Sequence, residues 1–234
     1  MKNEILIVPD VHGRDFWLPA LNYQGEVVFL GDYVDPYPQE NITEEDAYQV
    51  LLQIVEFKRQ HPERVTLLIG NHEMHYYDDR FGAGRFSKEY FPKINEILTG
   101  DATKGLFQIC KQVENYLFIH AGVTKGWYDH HYPQFQNLGE TLEERLNRIF
   151  FEKMYVYHEA SWKFRGGLDE SGSPLWADFR EFDDEPERFA PGIIQIIGHT
   201  QTMKPDPIIK ENIYLLDNRQ LYLLRNDAIE KYSA

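Results

Sequence analysis

Five short apolar runs punctuate the chain: Ile5-Leu6-Ile7-Val8, Val27-Val28-Phe29-Leu30, Val65-Thr66-Leu67-Leu68-Ile69, Leu117-Phe118-Ile119 and Ile193 to Ile197. Each is too short for a helix and lacks polar alternation, which predicts strands buried on both faces, as in a sheet covered by helices. Each ends abruptly in Gly, Asp, Asn or His, so polar side chains gather at the C-terminal ends of the strands. Between the runs the period lengthens. Thr43-Glu44-Glu45-Asp46 reads as a capping box opening a helix over Ala47 to Gln60, closed by His61-Pro62. Thr141-Leu142-Glu143-Glu144 opens a second, with Leu146, Ile149, Phe150 and Met154 at helical spacing.

Near the C-terminal end, Ile213 to Asp217 and Leu221 to Leu224 flank Asn218-Arg219-Gln220, a spacing that predicts a hairpin. The stretch 126–192 separates the fourth run from the fifth by more than a crossover needs, and is rich in Tyr, Trp, His, Asp and Glu. It reads as an insertion beside the site. The 234 residues are enough for one large domain, and the expectation is a single α/β domain over 1–234 carrying that insertion.

Composition alters this picture little. Hydrophobic residues at 42% and charged residues at 26% are ordinary globular usage, and disorder is not indicated. The formal charge of −14 argues against an extended nucleic-acid surface, which is normally basic, and leaves only a local basic pocket open. One cysteine, Cys110, excludes an intrachain disulfide and reads as core packing. The start Met1-Lys2-Asn3-Glu4-Ile5 runs at once into a strand, and no apolar stretch reaches membrane length, so a cytoplasmic, non-membrane protein is expected. Trp127, Tyr128, Trp162 and Trp176 read as core aromatics rather than a nucleobase platform. His75, His130, His131 and His158 read as surface or packing residues.

The chemistry sits where the runs end. Asp10-Val11-His12-Gly13 follows the first, Gly31-Asp32-Tyr33-Val34-Asp35 the second, and Gly70-Asn71-His72-Glu73 the third; His120-Ala121-Gly122 and Gly198-His199-Thr200 follow the last two. Carboxylate, amide and imidazole donors would thus converge at the C-terminal edge of one sheet, where open α/β folds place their sites. Two divalent cations fit the set. Asp10 and His12 would hold one, Asn71, His120 and His199 the other, with Asp32 bridging. Such a pair would activate a bridging hydroxide for in-line attack on phosphorus. His72 would protonate the leaving oxygen, oriented by Asp35; the plainer alternatives are a turn-capping Asp35 and His72 as a seventh ligand. Glu73 is expected to support a ligand histidine rather than bind metal.

These five blocks, from Asp10 to Thr200, resemble the calcineurin-like metallophosphoesterases, and Gly-Asp-Tyr-Val-Asp with Gly-Asn-His-Glu look most like their phosphoprotein phosphatase branch. The resemblance implies a four-layer αββα sandwich, a dinuclear site of manganese, or else iron or zinc, and the same six ligands with the Asp35/His72 pair. It also exposes two departures. The branch follows the second block with Arg-Gly and precedes Gly-Asn-His-Glu with Arg, whereas Pro36-Tyr37 and Ile69 stand here. Both phosphate-clamping arginines are absent, although Arg is suited to bidentate phosphate binding. Arg14, Arg165 and Arg180 are the candidate replacements, each with a plain ion pair as the alternative. The leading expectation is hydrolysis of phosphate monoesters, phosphoproteins included. Rivals are a dinucleoside polyphosphate hydrolase and a non-enzymatic metal-binding module.

Overall fold

A computed structural model describes residues 4–81, 84–184 and 189–233; residues 1–3 and the part of the expected insertion at 185–188 lie outside the described residues. The chain divides into two compact units, one of residues 1–108 with 218–234 and the other of residues 109–217.

The first unit is built on β1 (Ile5–Val8), β2 (Glu26–Phe29), α1 (Glu44–Gln60), β3 (Val65–Leu68), α2 (Asn71–Tyr77), α3 (Phe91–Thr99) and β4 (Phe107–Gln108). β1 to β4 run parallel and adjacent, so the chain leaves β1, β2 and β3 at the same sheet edge. That adjacency is what brings three separated motifs together. The expected capping box is present: the Thr43 hydroxyl accepts the Asp46 N–H at 3.1 Å, and Asp46 accepts the Thr43 N–H at 2.9 Å. From there α1 buries Ala47, Leu51, Ile54 and Val55, one stripe at helical spacing. β1 is buried along its whole length, in keeping with a strand covered on both faces.

The second unit holds β5 (Cys110–Val113), β6 (Tyr116–Ile119), α4 (Lys125–Phe135), α5 (Leu142–Lys153), α6 (Glu181–Asp184), β7 (Ile194–Ile197), β8 (Ile208–Lys210) and β9 (Ile213–Leu215). Its five-stranded sheet has the order β5-β6-β7-β9-β8, with β6, β7 and β9 parallel. The second expected helix forms as α5, with Leu146, Ile149 and Phe150 buried. Cys110 is buried, and desolvation pushes its thiol well up.

The α/β class is as expected, with two corrections of detail. The five runs do not share one sheet: β1, β2 and β3 lie in a six-stranded sheet, β6 and β7 in the five-stranded one. Nor do Ile213–Asp217 and Leu221–Leu224 form a hairpin. β9 stays in the five-stranded sheet, while β10 (Tyr222–Arg225) joins the six-stranded sheet antiparallel to β1. β10 instead makes its hairpin with β11 (Ala228–Lys231), across Asn226-Asp227 with φ of 52° and 62°. Two left-handed residues are what a tight hairpin requires, and Asn and Asp tolerate that conformation.

Candidate active site

In the first unit the motif loops are sewn to one another by the backbone. The Asp32 carbonyl accepts the N–H groups of Val11 and His12 at 3.0 and 2.7 Å, and the Tyr33 carbonyl accepts that of Gly13 at 2.9 Å. His12, Asp32 and Asp35 have φ of 46°, 53° and 55°, a left-handed region that costs a non-glycine residue roughly 1 kcal/mol or more. Three such residues in adjoining loops mark a backbone held against its preference.

Gly31 and Gly70 make the closest approach. A Cβ on Gly70 would lie 2.1 Å from Asp32 Oδ1, and one on Gly31 2.5 Å from the Gly70 nitrogen. Glu73 fastens the same corner. Its buried carboxylate accepts the N–H groups of Asp32, Tyr33 and Gly70 at 2.8, 2.8 and 2.9 Å. It therefore braces backbone rather than the expected ligand histidine, because the first turn of α2 aims it at the end of β2. Burial and the Asp32 charge push Glu73 up, against the donors that favour its anion.

Asp10, His12, Asp32 and Asn71 are all buried here. His12 Nδ1 lies 2.8 Å from the Val34 carbonyl, which only an Nδ1–H can satisfy, so Nε2 is left as the lone pair. That Nε2 faces Asp32 Oδ2 at 3.4 Å. Burial, outweighing the Asp32 charge, lowers the His12 pKa to about 3, so the imidazole is neutral at physiological pH. Two acceptors turned on each other call for a shared cation. His12, Asp32 and His72 also offer ligand atoms that lie within 4.8 Å of one another. A mixed carboxylate and imidazole set suits a first-row divalent ion, so the residues fit a metal.

His72 Nδ1 lies 2.6 Å from Asp35 Oδ2, and the Tyr76 hydroxyl donates to Asp35 Oδ1. The carboxylate is thus held from two sides, and Tyr76 is a support that sequence reasoning missed. Burial opposes the charged form of His72, but Asp32 and the bond and charge of Asp35 outweigh it and raise its pKa. Neighbouring His75 is buried and packs edge-on to His72 and Phe86.

Arg14 is committed to a carboxylate. It is buried and forks onto Glu40, at 2.7 Å from Nε and 3.1 Å from Nη2. A different guanidinium reaches His72: Arg85, whose Nη2 is 3.2 Å from His72 Nε2 and whose Nε donates to the Asp35 carbonyl at 2.9 Å. Arg85 belongs to no motif, and its partners precede it by up to 50 positions.

In the second unit, the parallel pair β6 and β7 delivers His120 and His199, whose Nε2 and Nδ1 are 3.2 Å apart. His199 is also left-handed, at φ 64°. Gln195, fully buried on β7, accepts the Val123 N–H at 2.7 Å and so pins the loop that follows His120. Arg165 and Arg180 meet on Asp178: Arg165 Nε is 3.0 Å from Oδ2, Arg180 Nε 2.8 Å from Oδ1. Trp127 is core, but Trp162 is not, being 62% exposed on the turn closed by the Ser161–Asp169 bridge.

The sequence model of the calcineurin-like phosphoesterases matches residues 4–203, and the chain belongs to that family. It is a hydrolase acting on phosphoester bonds, and the family's divalent metals agree with the donor clusters described above. Among solved structures, the cold-active protein tyrosine phosphatase of a psychrophilic Shewanella species aligns with TM-score 0.58 and 15% identity, covering 98% of this chain and 80% of that one. A Ser/Thr protein phosphatase from Saccharomyces cerevisiae aligns with TM-score 0.55 and 16% identity, covering 99% and 80%. At that identity the likeness is one of fold. No curated protein sequence matches the chain. Among the described residues, no helix is long and apolar enough to cross a membrane.

Proposed function

We propose that the chain hydrolyses phosphate monoesters, with His72 as the acid for the leaving oxygen. The observation that carries this is the Asp35–His72 contact of 2.6 Å, set in the same unit as the buried His12 and Asp32 donors. Asp10, His12, Asp32 and Asn71 are proposed as metal ligands of the first unit, with His120 and His199 as further donors in the second. Bound manganese, iron or zinc would supply an activated water and positive charge for the phosphoryl oxygens.

The rest falls to side chains of the first unit. Water adds to phosphorus as the ester P–O bond breaks, and the departing oxygen takes a proton from His72 Nε2. Asp35 accepts Nδ1–H and, with Asp32, favours the doubly protonated ring, whose Nε2 proton is the one given up. Tyr76 keeps Asp35 in place in turn. The Glu73 brace and the Gly31/Gly70 contact hold the Asp32 carboxylate where His12 faces it.

The test is His72→Asn assayed on two esters in the presence of manganese. General acid catalysis contributes about 10²–10⁴-fold. The variant is expected to lose that much on an alkyl phosphate, and far less on a nitrophenyl phosphate, whose leaving oxygen needs no proton. Equal losses on both would remove His72 as the acid. A wild-type protein inert towards both esters would remove the monoester reading.

One observation favours a second reading, a nucleotide phosphoanhydride as substrate: Trp162 stands exposed on the second unit, open to stacking. Competition between a dinucleoside tetraphosphate and an aryl phosphate decides between them by the larger kcat/KM.

A further inference from the structure

The family pattern places an arginine immediately after Asp35, and this chain has Pro36-Tyr37 instead. Arg85 arrives at that same point by another route. It extends from the segment between α2 and α3, and its Nε donates to the Asp35 carbonyl at 2.9 Å, the peptide from which the missing arginine would have sprung. Its guanidinium carbon lies 3.8 Å from the centroid of the Tyr37 ring. Tyr37, which stands where the family has the glycine after that arginine, is therefore the platform on which another arginine rests, a face contact favourable to a guanidinium.

Arg85 also reaches the acid, with Nη2 at 3.2 Å from His72 Nε2. An ester oxygen placed to receive a proton from that nitrogen falls within reach of the same fork. Its contacts are a carbonyl, an aromatic face and the His72 ring, none of them an anion. Among the described residues no carboxylate pairs with it, and Nη1 makes no hydrogen bond. Arg14 has its fork on Glu40, and Arg165 and Arg180 both spend Nε on Asp178. A guanidinium anchored without a paired carboxylate keeps its N–H groups for an anion.

We infer that Arg85 is the phosphate-binding arginine of this protein, held by the Asp35 carbonyl and the Tyr37 ring so that its free N–H groups grip the phosphoryl oxygens of the ester. The inference rests on the phosphoesterase reading and adds the residue that recognises the substrate.

The experiment compares wild type, Arg85→Ala, Arg85→Lys and Arg80→Ala as manganese-loaded proteins of verified metal content. Steady-state turnover of an aryl phosphate is measured beside calorimetric binding of inorganic phosphate. Charged hydrogen bonds of about 1.5–3 kcal/mol correspond to roughly 10–100-fold in affinity. Arg85→Ala is expected to weaken phosphate binding and raise KM by that factor. Arg85→Lys should fall between, since an ammonium keeps the charge but not the fork. Arg80, 81% exposed and paired with Asp78, is the control from the same stretch and should change neither. A positioning role alone would lower kcat and leave phosphate binding in place, and that result overturns the inference. So does phosphate binding within twofold of wild type in both Arg85 variants while turnover persists. If Arg85→Ala fails to fold, Arg85→Lys decides alone. An inactive wild type with measurable Arg85-dependent phosphate binding would sink the catalytic reading and not this one.

Discussion

Arg85, on the loop after α2 in the first unit, and the two arginines on the turn around Asp178 in the second dispose of their charge in opposite ways. Around Asp178 two arginines share one carboxylate. Burial opposes ionisation there, yet the bonds and charges of Arg180 and Arg165 hold Asp178 below the usual carboxylate range. The local charge is closed within the cluster. Arg85 is instead held by a carbonyl and a tyrosine face, which position a cation without neutralising it. The lesson is that the partners of an arginine, more than its nearness to a motif, decide whether it is available to a phosphate. Within the first unit Arg14 repeats the contrast, since it sits inside the first motif and is consumed by Glu40.

The imidazoles of the first unit extend the comparison and carry the largest expected effect. His12 is kept neutral by burial, with its pKa lowered to about 3, while the unfolded chain titrates near the ordinary 6.5. Between those values the unfolded state takes up a proton that the folded state refuses, so stability falls as pH falls. The slope from this one group is about 1.4 kcal/mol per pH unit. Metal-free protein denatured in urea at pH 7 and at pH 5 should lose about 2 kcal/mol from His12, and His12→Gln should flatten the difference. His72 bends the other way, because its raised pKa contributes stability at low pH that fades as pH rises through the folded value. A pH dependence unchanged in His12→Gln would show that burial does not hold His12 neutral.

Next in size is Arg14→Ala. The substitution strips a buried fork from Glu40 and two weaker contacts to the Asp10 and Val11 carbonyls at 3.3 and 3.4 Å. Breaking a buried pair costs about 3–5 kcal/mol, but Glu40 keeps Arg219 at 2.7 Å, so the expected loss is about 2 kcal/mol in chemical denaturation. Phosphate affinity should change far less than on Arg85→Ala. A variant of wild-type stability that loses phosphate binding would reverse the roles assigned to the two arginines.

Much of this was legible in advance, and unevenly. β1, β2, β3, β6 and β7 were readable because a strand buried on both faces must be apolar throughout, and its end is where polar residues resume. Which sheet each strand joins was not, since buried strands of both sheets carry the same pattern. That is why Ile213–Leu224 read as a hairpin although its halves belong to different sheets; the left-handed Asn226-Asp227 was the better turn signal. At the site, residues inside motifs were found and their supports were not. Tyr76, Gln195 and Arg85 act across 41, 72 and 50 positions, and side chains so placed leave no local period to read. Trp162 shows the converse: size alone predicted burial, and a turn set it in solvent.

The smallest expected effect bears most directly on the contrast between the two regions. Arg180 is 61% exposed, with Nε and Nη2 both on the Asp178 carboxylate two residues before it. An exposed local pair is worth about 0–1 kcal/mol, because water screens the charges and long side chains lose freedom in holding one geometry. Asp178 also retains Arg165 at 3.0 Å when Arg180 is removed. Arg180→Ala is therefore expected to cost less than about 0.5 kcal/mol in denaturation and to leave KM for an aryl phosphate within twofold. A tenfold rise in KM at unchanged stability would mean that Arg180 leaves Asp178 when substrate arrives. In that case the pairing seen in the free protein would not predict which arginine meets phosphate, and Arg85 would no longer stand apart from Arg14, Arg165 and Arg180.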